Sequence, residues 1–345
     1  MIKTISYLPS QRVVSILRKR NYSLNKGKNT HLLVYLFLSE KWLVRLDKIL
    51  FYIGRTHLSI RDIVNIKILF LYRDVTGNGD DLILLRDKEF CKISFFDLSG
   101  NAKTIIWENR ADFSRALRGI EYFTNRGVEC PPIIYKDCSE NMIRQKIIGD
   151  IFKNNVDIRR IIETITKAQA KYDYANLFDE YVKMTSQLKI NDRCSDALES
   201  KCSAAVEKGF ISISKNVNLV VPEVLAHGDV SVANTLIDHD GVIYIDDFDR
   251  SFNCSIYHDL VFVYLRNNSF PKDLLIESVI SIHQQLHING MIKQSQIYNY
   301  VLSIFILDTI RYMEYICNSK LSSGAFKFSV HMINEAINSF QMAPE

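Results

Sequence analysis

The chain has 345 residues, of which 47% are hydrophobic and 24% charged, and its formal net charge at pH 7 is +4. This length and composition are typical of a globular protein with one large domain or two ordinary ones, and they exclude disordered and fibrous proteins. No apolar run approaches the roughly 20 residues of a membrane-spanning helix, and none near the N-terminus has the form of a secretory signal.

The first predicted region is a basic segment, residues 1–66, with twelve Lys or Arg residues against three acidic ones. Within it, QRVVSILRKR and SEKWLVRLDKILFYIGR repeat apolar residues at intervals of three and four, which predicts mostly helical structure. Such a segment could lie on an anionic membrane or hold a polyanion, or its helices could simply have solvated basic faces. The sequence leaves both interpretations open.

A strand-rich region follows at residues 67–149. An antiparallel meander is predicted from three short apolar runs separated by polar turns: KILFLYRDV, DLILLRD and EFCKISFFDL. The next segment, NRADFSRALRGIEYFTNRGVE, has helical periodicity and should end at Gly127. Two further strands are predicted at PPIIY and NMIRQKII.

Helices predominate in the third predicted region, residues 150–345. They include DIRRIIETITKAQAKYDYANLFDEYVKMTSQL near its start and SQIYNYVLSIFILDTIRYMEYICN near its end. A polar hairpin at residues 227–249 interrupts them. A small antiparallel sheet and a larger helical body together predict an α+β fold of two lobes with a ligand-binding cleft.

The hairpin concentrates side chains that suit a metal site. Its sequence is HGDVSVANTLIDHDGVIYIDDFD, so His227, Asp229 and Asn234 precede an apolar run that leads to Asp246 and Asp247. Carboxylates in one site repel each other, and a divalent cation would compensate them. Magnesium prefers hard oxygen ligands of this kind. A lone Asp-x4-Asn pattern is also common in ordinary turns, so the interpretation depends on the whole set.

This hairpin resembles the catalytic segment of the protein-kinase-like superfamily. HGDVSVAN fits the catalytic-loop pattern H-x-D-x-x-x-x-N, and its His-Gly-Asp form is similar to aminoglycoside and choline kinases. Thirteen residues after Asn234 comes Asp247 in Asp-Phe-Asp-Arg, which resembles the metal-binding turn of bacterial lipopolysaccharide kinases of the Kdo and heptose type. The resemblance implies a two-lobed protein-kinase-like fold, with residues 1–66 as an added segment.

The resemblance also implies roles for the residues of this segment. Asp229 would be the catalytic base that accepts the proton of an attacking hydroxyl, and Asn234 and Asp247 would bind Mg²⁺. His227 would be a structural anchor of the loop. If Asp246 aligned in place of Asp247, Tyr-Ile-Asp would match the aminoglycoside branch, although the thirteen-residue spacing and the following phenylalanine favour Asp247.

Structural roles are expected for the remaining acids. Asp246 and Asp249 would either support the metal ligand or belong only to the turn. Asp259 lies in YHDL, which resembles the Asp-Leu element that opens a later helix in these kinases.

The phosphates of a nucleotide would need a cation and a close backbone approach. Lys92, in the third strand of the meander, is where the resemblance implies the strand lysine, although a lone strand lysine could equally be a solvated edge residue. Gly77 and Gly79 in TGNGDD could cover the phosphates, since glycine permits close approach. An ordinary hairpin turn explains Asn78-Gly79 as well.

Two features depart from the superfamily. The helix acid that should pair with the strand lysine is expected near Arg115 or Ala116, and neither is acidic. Glu108, Asp112 and Glu121 are the available acids, and Asp112 lies about one turn away. Ser231 stands where related catalytic loops have a cation.

We therefore predict an ATP- and Mg²⁺-dependent kinase that phosphorylates a sugar hydroxyl of a bacterial surface glycan or lipid-linked precursor. A small-molecule kinase of aminoglycoside or choline type and a non-catalytic kinase-like binding protein are the alternatives. No nucleic-acid partner is expected, because no recognised reading motif is present. Seven cysteines without metal-type spacing predict reduced thiols and a cytoplasmic location, either free or peripheral on the inner face of the membrane.

Overall fold

The structure is a computed structural model, and it describes part of the chain. The described ranges are 22–24, 69–74, 81–87, 92–97, 102–107, 109–148, 158–169, 175–188, 194–214, 219–231, 234–238, 240–266, 270–287, 292–318 and 323–341. The basic segment at residues 1–66 therefore lies outside the described residues except at Tyr22–Leu24. Gly77 and Gly79, predicted to cover the phosphates, also lie outside them.

The chain divides into two compact units, each discontinuous in sequence. The first unit comprises Met1–Ser114, Glu129–Val156 and Val232–Asp246. The second comprises Arg115–Val128, Asp157–Ser231 and Asp247–Glu345. The domain boundaries predicted at residues 66 and 149 both lie outside the described residues, and they stay predictions.

An antiparallel sheet is the main element of the first unit. Its described strands are β1 (Tyr22–Leu24), β2 (Leu69–Asp74), β3 (Asp81–Asp87), β4 (Lys92–Asp97), β5 (Ala102–Trp107), β6 (Ile133–Asp137) and β7 (Met142–Lys146). Their order in the sheet is β1-β2-β3-β4-β5-β7-β6. The predicted meander corresponds to β2, β3 and β4, and the two later predicted strands correspond to β6 and β7.

Two strands of this sheet were not predicted. β5 pairs with both β4 and β7, so the meander continues for one strand more than the sequence analysis proposed. Its sequence, AKTIIW, combines β-branched and aromatic residues after a Ser-Gly-Asn turn, which is the ordinary signal for a strand. β1 is a strand inside the segment predicted to be mostly helical, and it pairs with β2 along the sheet edge.

The predicted polar hairpin is confirmed. β9 (Thr235–Ile237) and β10 (Ile243–Ile245) pair in antiparallel register, with Ile245 opposite Thr235. Asp238 closes the turn by accepting hydrogen bonds from the backbone N–H groups of the turn. Leu236 of β9 is buried against Ile148. This apolar contact holds the hairpin within the first unit.

Helices form most of the second unit. The helix predicted after the meander is α1 (Arg110–Thr124); it begins in the first unit and enters the second at Arg115. The other long helices in the described part of the chain are α2 (Ile158–Gln169), α3 (Phe178–Ser186), α4 (Asp196–Val206), α5 (His258–Arg266), α6 (Lys272–Gln285), α7 (Gln294–Asn318) and α8 (Ser323–Gln341). α4 continues into a short helical segment at Glu207–Ile211 and Ser212–Ser214. A two-stranded sheet pairs β8 (Glu223–Ala226) with β11 (Phe252–Ser255).

The core of the second unit is built around α7. Every residue from 301 to 310 is buried, as expected for a helix that is surrounded on all sides. Asp308 is a buried carboxylate in this stretch, and it accepts hydrogen bonds from the Tyr181 hydroxyl and from the backbone N–H and hydroxyl of Ser255. These bonds connect α3 and β11 to α7.

The predicted α+β class is confirmed, with a small antiparallel sheet and a larger helical part. Among the helices that the structure describes, none combines the length and apolar character that a bilayer crossing requires.

Candidate active site

The loop that begins at His227 is anchored by the carboxylate of Asp259. The backbone N–H groups of His227 and Gly228 each donate to this carboxylate at 2.8 Å. The side-chain amide of Gln169 donates to it at 3.0 Å. Asp259 is buried in the first turn of α5, so these donors compensate its charge. Two consecutive loop residues are thereby fixed to a helix.

Gly228 is required by both its backbone conformation and its surroundings. Its φ is +79°, in the left-handed region where side chains are unfavourable. A Cβ added here would lie 2.2 Å from the carbonyl oxygen of Arg250. The His-Gly-Asp loop therefore packs directly on the turn that contains Arg250.

The imidazole of His227 is fully buried and participates in the loop structure. Its ring centroid lies 4.7 Å from that of Phe248 and 6.4 Å from that of Phe123. Its Nδ1 accepts a hydrogen bond from the backbone N–H of Asp229 at 3.2 Å. Because an accepting nitrogen carries no proton, this bond selects the tautomer with the proton on Nε2.

Asp229 follows this anchor and keeps its carboxylate partly accessible, at 28% side-chain exposure. Its Oδ2 lies 3.8 Å from Nε of Arg250. Burial raises the pKa of Asp229, and the nearby carboxylate of Asp247 raises it further, whereas the positive charge of Arg250 opposes both. The second unit thus brings two carboxylates and one guanidinium together at the end of the loop.

Asp247 has a strained backbone. Its φ and ψ are 70° and 61°, in the left-handed region that non-glycine residues seldom adopt. It precedes a single 3-10 turn, Phe248–Arg250. Strain of this kind persists only where the surroundings impose it, and it concentrates at functional sites.

Helix α1 supplies part of those surroundings. Nε of Arg115 donates to the backbone carbonyl of Asp249 at 2.6 Å, and Asp249 itself is buried. A Cβ on Gly119 would lie 2.8 Å from Cβ of Phe248 and 2.6 Å from Oγ of Ser251. The glycine therefore lets α1 lie directly against the turn and hold it in place.

The other predicted metal-site residues belong to the first unit. Asp246 pairs with Lys103 of β5, with 3.0 Å between Nζ and Oδ2 and with both side chains at least 88% buried. Its backbone N–H donates to the carbonyl of Asn234 at 2.9 Å. Asn234, which precedes β9, is partly exposed. The charge of Asp246 is thus compensated by a lysine that sequence analysis missed.

Lys92 lies on the neighbouring strand, at a different point along the sheet. It is 8% exposed, and its backbone position is opposite Trp107 of β5. Lys103 is four residues before Trp107 on β5, so the two lysines share a sheet face but are separated by roughly 13 Å along it. β4 and β5 therefore offer two strand lysines.

The position near which the helix acid was expected holds Arg115, whose side chain donates to the backbone carbonyl of Asp249. Asp112, one turn earlier, is fully buried. Its carboxylate accepts from the Asn109 side chain, and its backbone N–H donates to the Asn109 Oδ1 at 2.7 Å. This pair closes the N-terminus of α1, an ordinary place for an acid.

Lys103 and Arg250 were both missed by sequence reasoning, although each had a signal. Lys103 is the only cation of the AKTIIW run, directly before the predicted helix. Arg250 completes Asp-Phe-Asp-Arg, in which only the acids were predicted to have a role.

No protein-family model matches the chain, and no curated protein matches it significantly. Some solved structures resemble it.

A thermostable mutant of aminoglycoside phosphotransferase APH(4)-Ia, in a ternary complex with AMP-PNP and hygromycin B, aligns at 12% identity and a TM-score of 0.48, over 78% of this chain and 98% of that one. Macrolide 2′-phosphotransferase MphH from Brachybacterium faecium aligns at 12% identity and 0.44, over 77% and 88%. A choline/ethanolamine kinase family protein from Mesorhizobium loti aligns at 12% and 0.40, over 75% and 92%. Likeness at this level assigns no activity, acceptor or site residue to this chain.

Proposed function

We propose that the chain is an ATP- and Mg²⁺-dependent phosphotransferase of the protein-kinase-like type, with a sugar hydroxyl as its acceptor. The observation that supports this most is the state of Asp229. Its carboxylate is partly accessible, has a raised pKa and follows a loop fixed by Asp259, and the strained Asp247 lies nearby. Phosphoryl transfer requires such positioning more than covalent chemistry.

Asp229 is the general base of the proposed reaction. It would accept the proton of the acceptor hydroxyl as the oxygen attacks the terminal phosphate. A pKa raised by burial suits this role, because a more basic carboxylate takes up a proton more readily. His227 is an anchor in this scheme, since its Nδ1 is already an acceptor for the loop backbone.

Asp247 and Asn234 would hold the magnesium ion. When bound, the ion supplies positive charge that neutralises the phosphates during transfer. The donor chemistry fits, because a carboxylate and an amide offer hard oxygens, and a cation would relieve the repulsion between Asp229 and Asp247. Asp246 is the weaker candidate for the ligand, because its charge is compensated by Lys103.

The phosphate-binding lysine is Lys92 or Lys103. Lys92 was the prediction from the sequence, and its burial is compatible with a role inside a site. Lys103 has the stronger support, because β5 directly precedes α1 and the lysine already pairs with an acid next to Asp247. The proposal therefore assigns the α- and β-phosphates to Lys103 and keeps Lys92 as the competing candidate.

The acceptor is proposed from the sequence resemblance of Asp-Phe-Asp-Arg to kinases of lipopolysaccharide sugars. A bacterial surface glycan or its lipid-linked precursor is polyanionic or membrane-bound, and the basic residues of segment 1–66 would attract either one. A small-molecule hydroxyl is the second candidate acceptor.

The test is transfer of labelled phosphate from ATP to an extract of the source cells, separated into lipid, polysaccharide, small-molecule and protein fractions. We expect label in the lipid or polysaccharide fraction, and Asp229→Asn should abolish it while nucleotide binding persists. Asp240→Asn is the matched control, since it makes the same change at an exposed acid of the β9–β10 turn. Normal transfer by Asp229→Asn would refute the assigned base. Label confined to small molecules would favour the second acceptor, and failure of ATP and Mg²⁺ to raise the melting temperature would favour a non-catalytic protein.

A further inference from the structure

The guanidinium of Arg250 contacts both a carboxylate and an aromatic ring. Its Nε is 3.8 Å from Oδ2 of Asp229. Its Cζ is 3.7 Å from the ring centroid of Phe328, a residue of helix α8. Arg250 is 7% exposed, so both contacts are largely shielded from water. Cation–π attraction is strongest when the cation is desolvated in this way.

We propose that Phe328 is a positioning residue for the catalytic base: its ring holds Arg250 in the orientation that places the guanidinium against Asp229. This inference rests on the proposed role of Asp229 as the base. Through these contacts α8 would set the geometry of the reacting carboxylate, and Phe328 would act only through Arg250.

The pair with Asp229 is too long to fix Arg250 alone. A distance of 3.8 Å exceeds that of a direct N–H···O bond, so the ion pair attracts the guanidinium without defining its plane. The face of the Phe328 ring, 3.7 Å from Cζ, is a direct restraint on that plane. The cavity beside Arg250 and Phe328 has a volume of about 20 Å³, enough for roughly one water molecule, so the guanidinium has little room to swing away.

Packing also fixes the ring itself. Phe262 of α5 lies 6.1 Å from the Phe328 ring, centroid to centroid, and the guanidinium carbon of Arg266 lies 5.7 Å from the ring centroid. α5 begins next to the anchor Asp259. The ring is therefore held by the same helix that holds the catalytic loop.

The opposite face of α8 provides a matched control. Phe326 and Val330 line a cavity of about 550 Å³ together with Leu198 of α4. Phe326 is two residues from Phe328 on the same helix, and it lines that cavity and not the one beside Arg250. Replacing either phenylalanine by leucine removes one aromatic ring from α8, but only one of these changes affects Arg250.

The experiment compares ATP hydrolysis with water as acceptor, measured as phosphate release in the presence of Mg²⁺, in the full chain and its variants. Phe328→Leu should lower kcat about tenfold with little change in KM for ATP, because the altered interaction acts on the base and not on nucleotide binding. Phe328→Tyr, which keeps the ring face, should retain most of kcat. Phe326→Leu should behave as wild type. If Phe328→Leu does not fold, a kcat for Phe328→Met within twofold of that for Phe328→Tyr would overturn the proposal.

A readout that needs no turnover is the ¹³C resonance of the Asp229 carboxyl group, assigned by its loss in Asp229→Asn. It should shift in Phe328→Leu and stay in place in Phe326→Leu. An unmoved resonance would contradict the positioning role. If Asp229→Asn abolishes hydrolysis and Phe328→Leu leaves kcat unchanged, this inference fails alone. If hydrolysis survives Asp229→Asn, the proposed function fails and this inference fails with it.

Discussion

The close approach at Gly228 predicts a large loss of stability when the glycine is replaced by alanine. Two costs combine in Gly228→Ala. The left-handed φ of +79° costs an L-residue about 1–2 kcal/mol. The new Cβ would also meet the Arg250 carbonyl oxygen at 2.2 Å, and overpacking of this kind costs roughly 1–3 kcal/mol. The free energy of unfolding should therefore fall by about 2–5 kcal/mol.

Gly241→Ala separates these two costs. Gly241 has the same φ of +79°, but a Cβ there would meet no atom within 4 Å. Replacing Gly241 by alanine should therefore lower the free energy of unfolding only by the cost of the left-handed backbone, about 1–2 kcal/mol. The loss of unfolded-state entropy is the same for both glycine-to-alanine changes, so it cancels in the comparison. The difference in free energy of unfolding between the two variants is then the cost of packing the new Cβ against the Arg250 carbonyl oxygen.

Urea unfolding followed by circular dichroism measures both free energies of unfolding. An unchanged slope of free energy against urea concentration checks that each variant exposes the same surface on unfolding. Gly228→Ala should also lose ATP hydrolysis, since moving the loop displaces Asp229, whereas Gly241→Ala should retain it. Equal destabilisation by the two variants would show that the loop and the Arg250 turn are not in direct contact. The proposed position of Asp229 beside Arg250 would then be wrong as well.

Two further predictions concern the nucleotide and the metal. Lys103→Met should weaken ATP binding about tenfold, measured by calorimetry, because one phosphate loses its charge-assisted hydrogen-bond partner. Lys92→Met should have a smaller effect on the dissociation constant for ATP. The reverse order would favour Lys92 as the phosphate-binding lysine. Asp247→Gly should raise the free energy of unfolding by about 1 kcal/mol, since glycine accepts the left-handed backbone without strain, and should abolish Mg²⁺-dependent hydrolysis. A less stable Asp247→Gly variant would show that the side chain stabilises the turn and that the strain argument is wrong.

The elements that sequence analysis predicted correctly are those whose signals are local. The hairpin at residues 227–249 combines alternating apolar residues with an Asp-x-Asp-Gly turn, and α1 combines helical periodicity with a terminating Gly127. β5 also had a local signal in its β-branched and aromatic residues, but the sequence analysis did not include it. Without β5, the sequence analysis proposed only Lys92 as the strand lysine.

Other properties of the site depend on contacts that are distant in sequence. The donors to Asp259 come from residues 31, 32 and 90 positions away, and Arg250 meets a ring in α8 that is 78 residues further along the chain. No spacing rule predicts such pairs, because they arise only when separate helices pack together. The motif could therefore name Asp229 as a candidate base without showing what orients it.

The choice between Asp246 and Asp247 shows how a distant contact bears on an ambiguity in a motif. Both acids follow the same strand, and the sequence favoured Asp247 only through spacing and a neighbouring phenylalanine. In the structure, Asp246 pairs with a lysine 143 residues away, whereas Asp247 adopts a backbone conformation that costs free energy. An acid whose charge is already neutralised gains less from a cation than an acid that lies near another carboxylate. The electrostatics of the two neighbours therefore favours Asp247 as the metal ligand, on grounds independent of the motif.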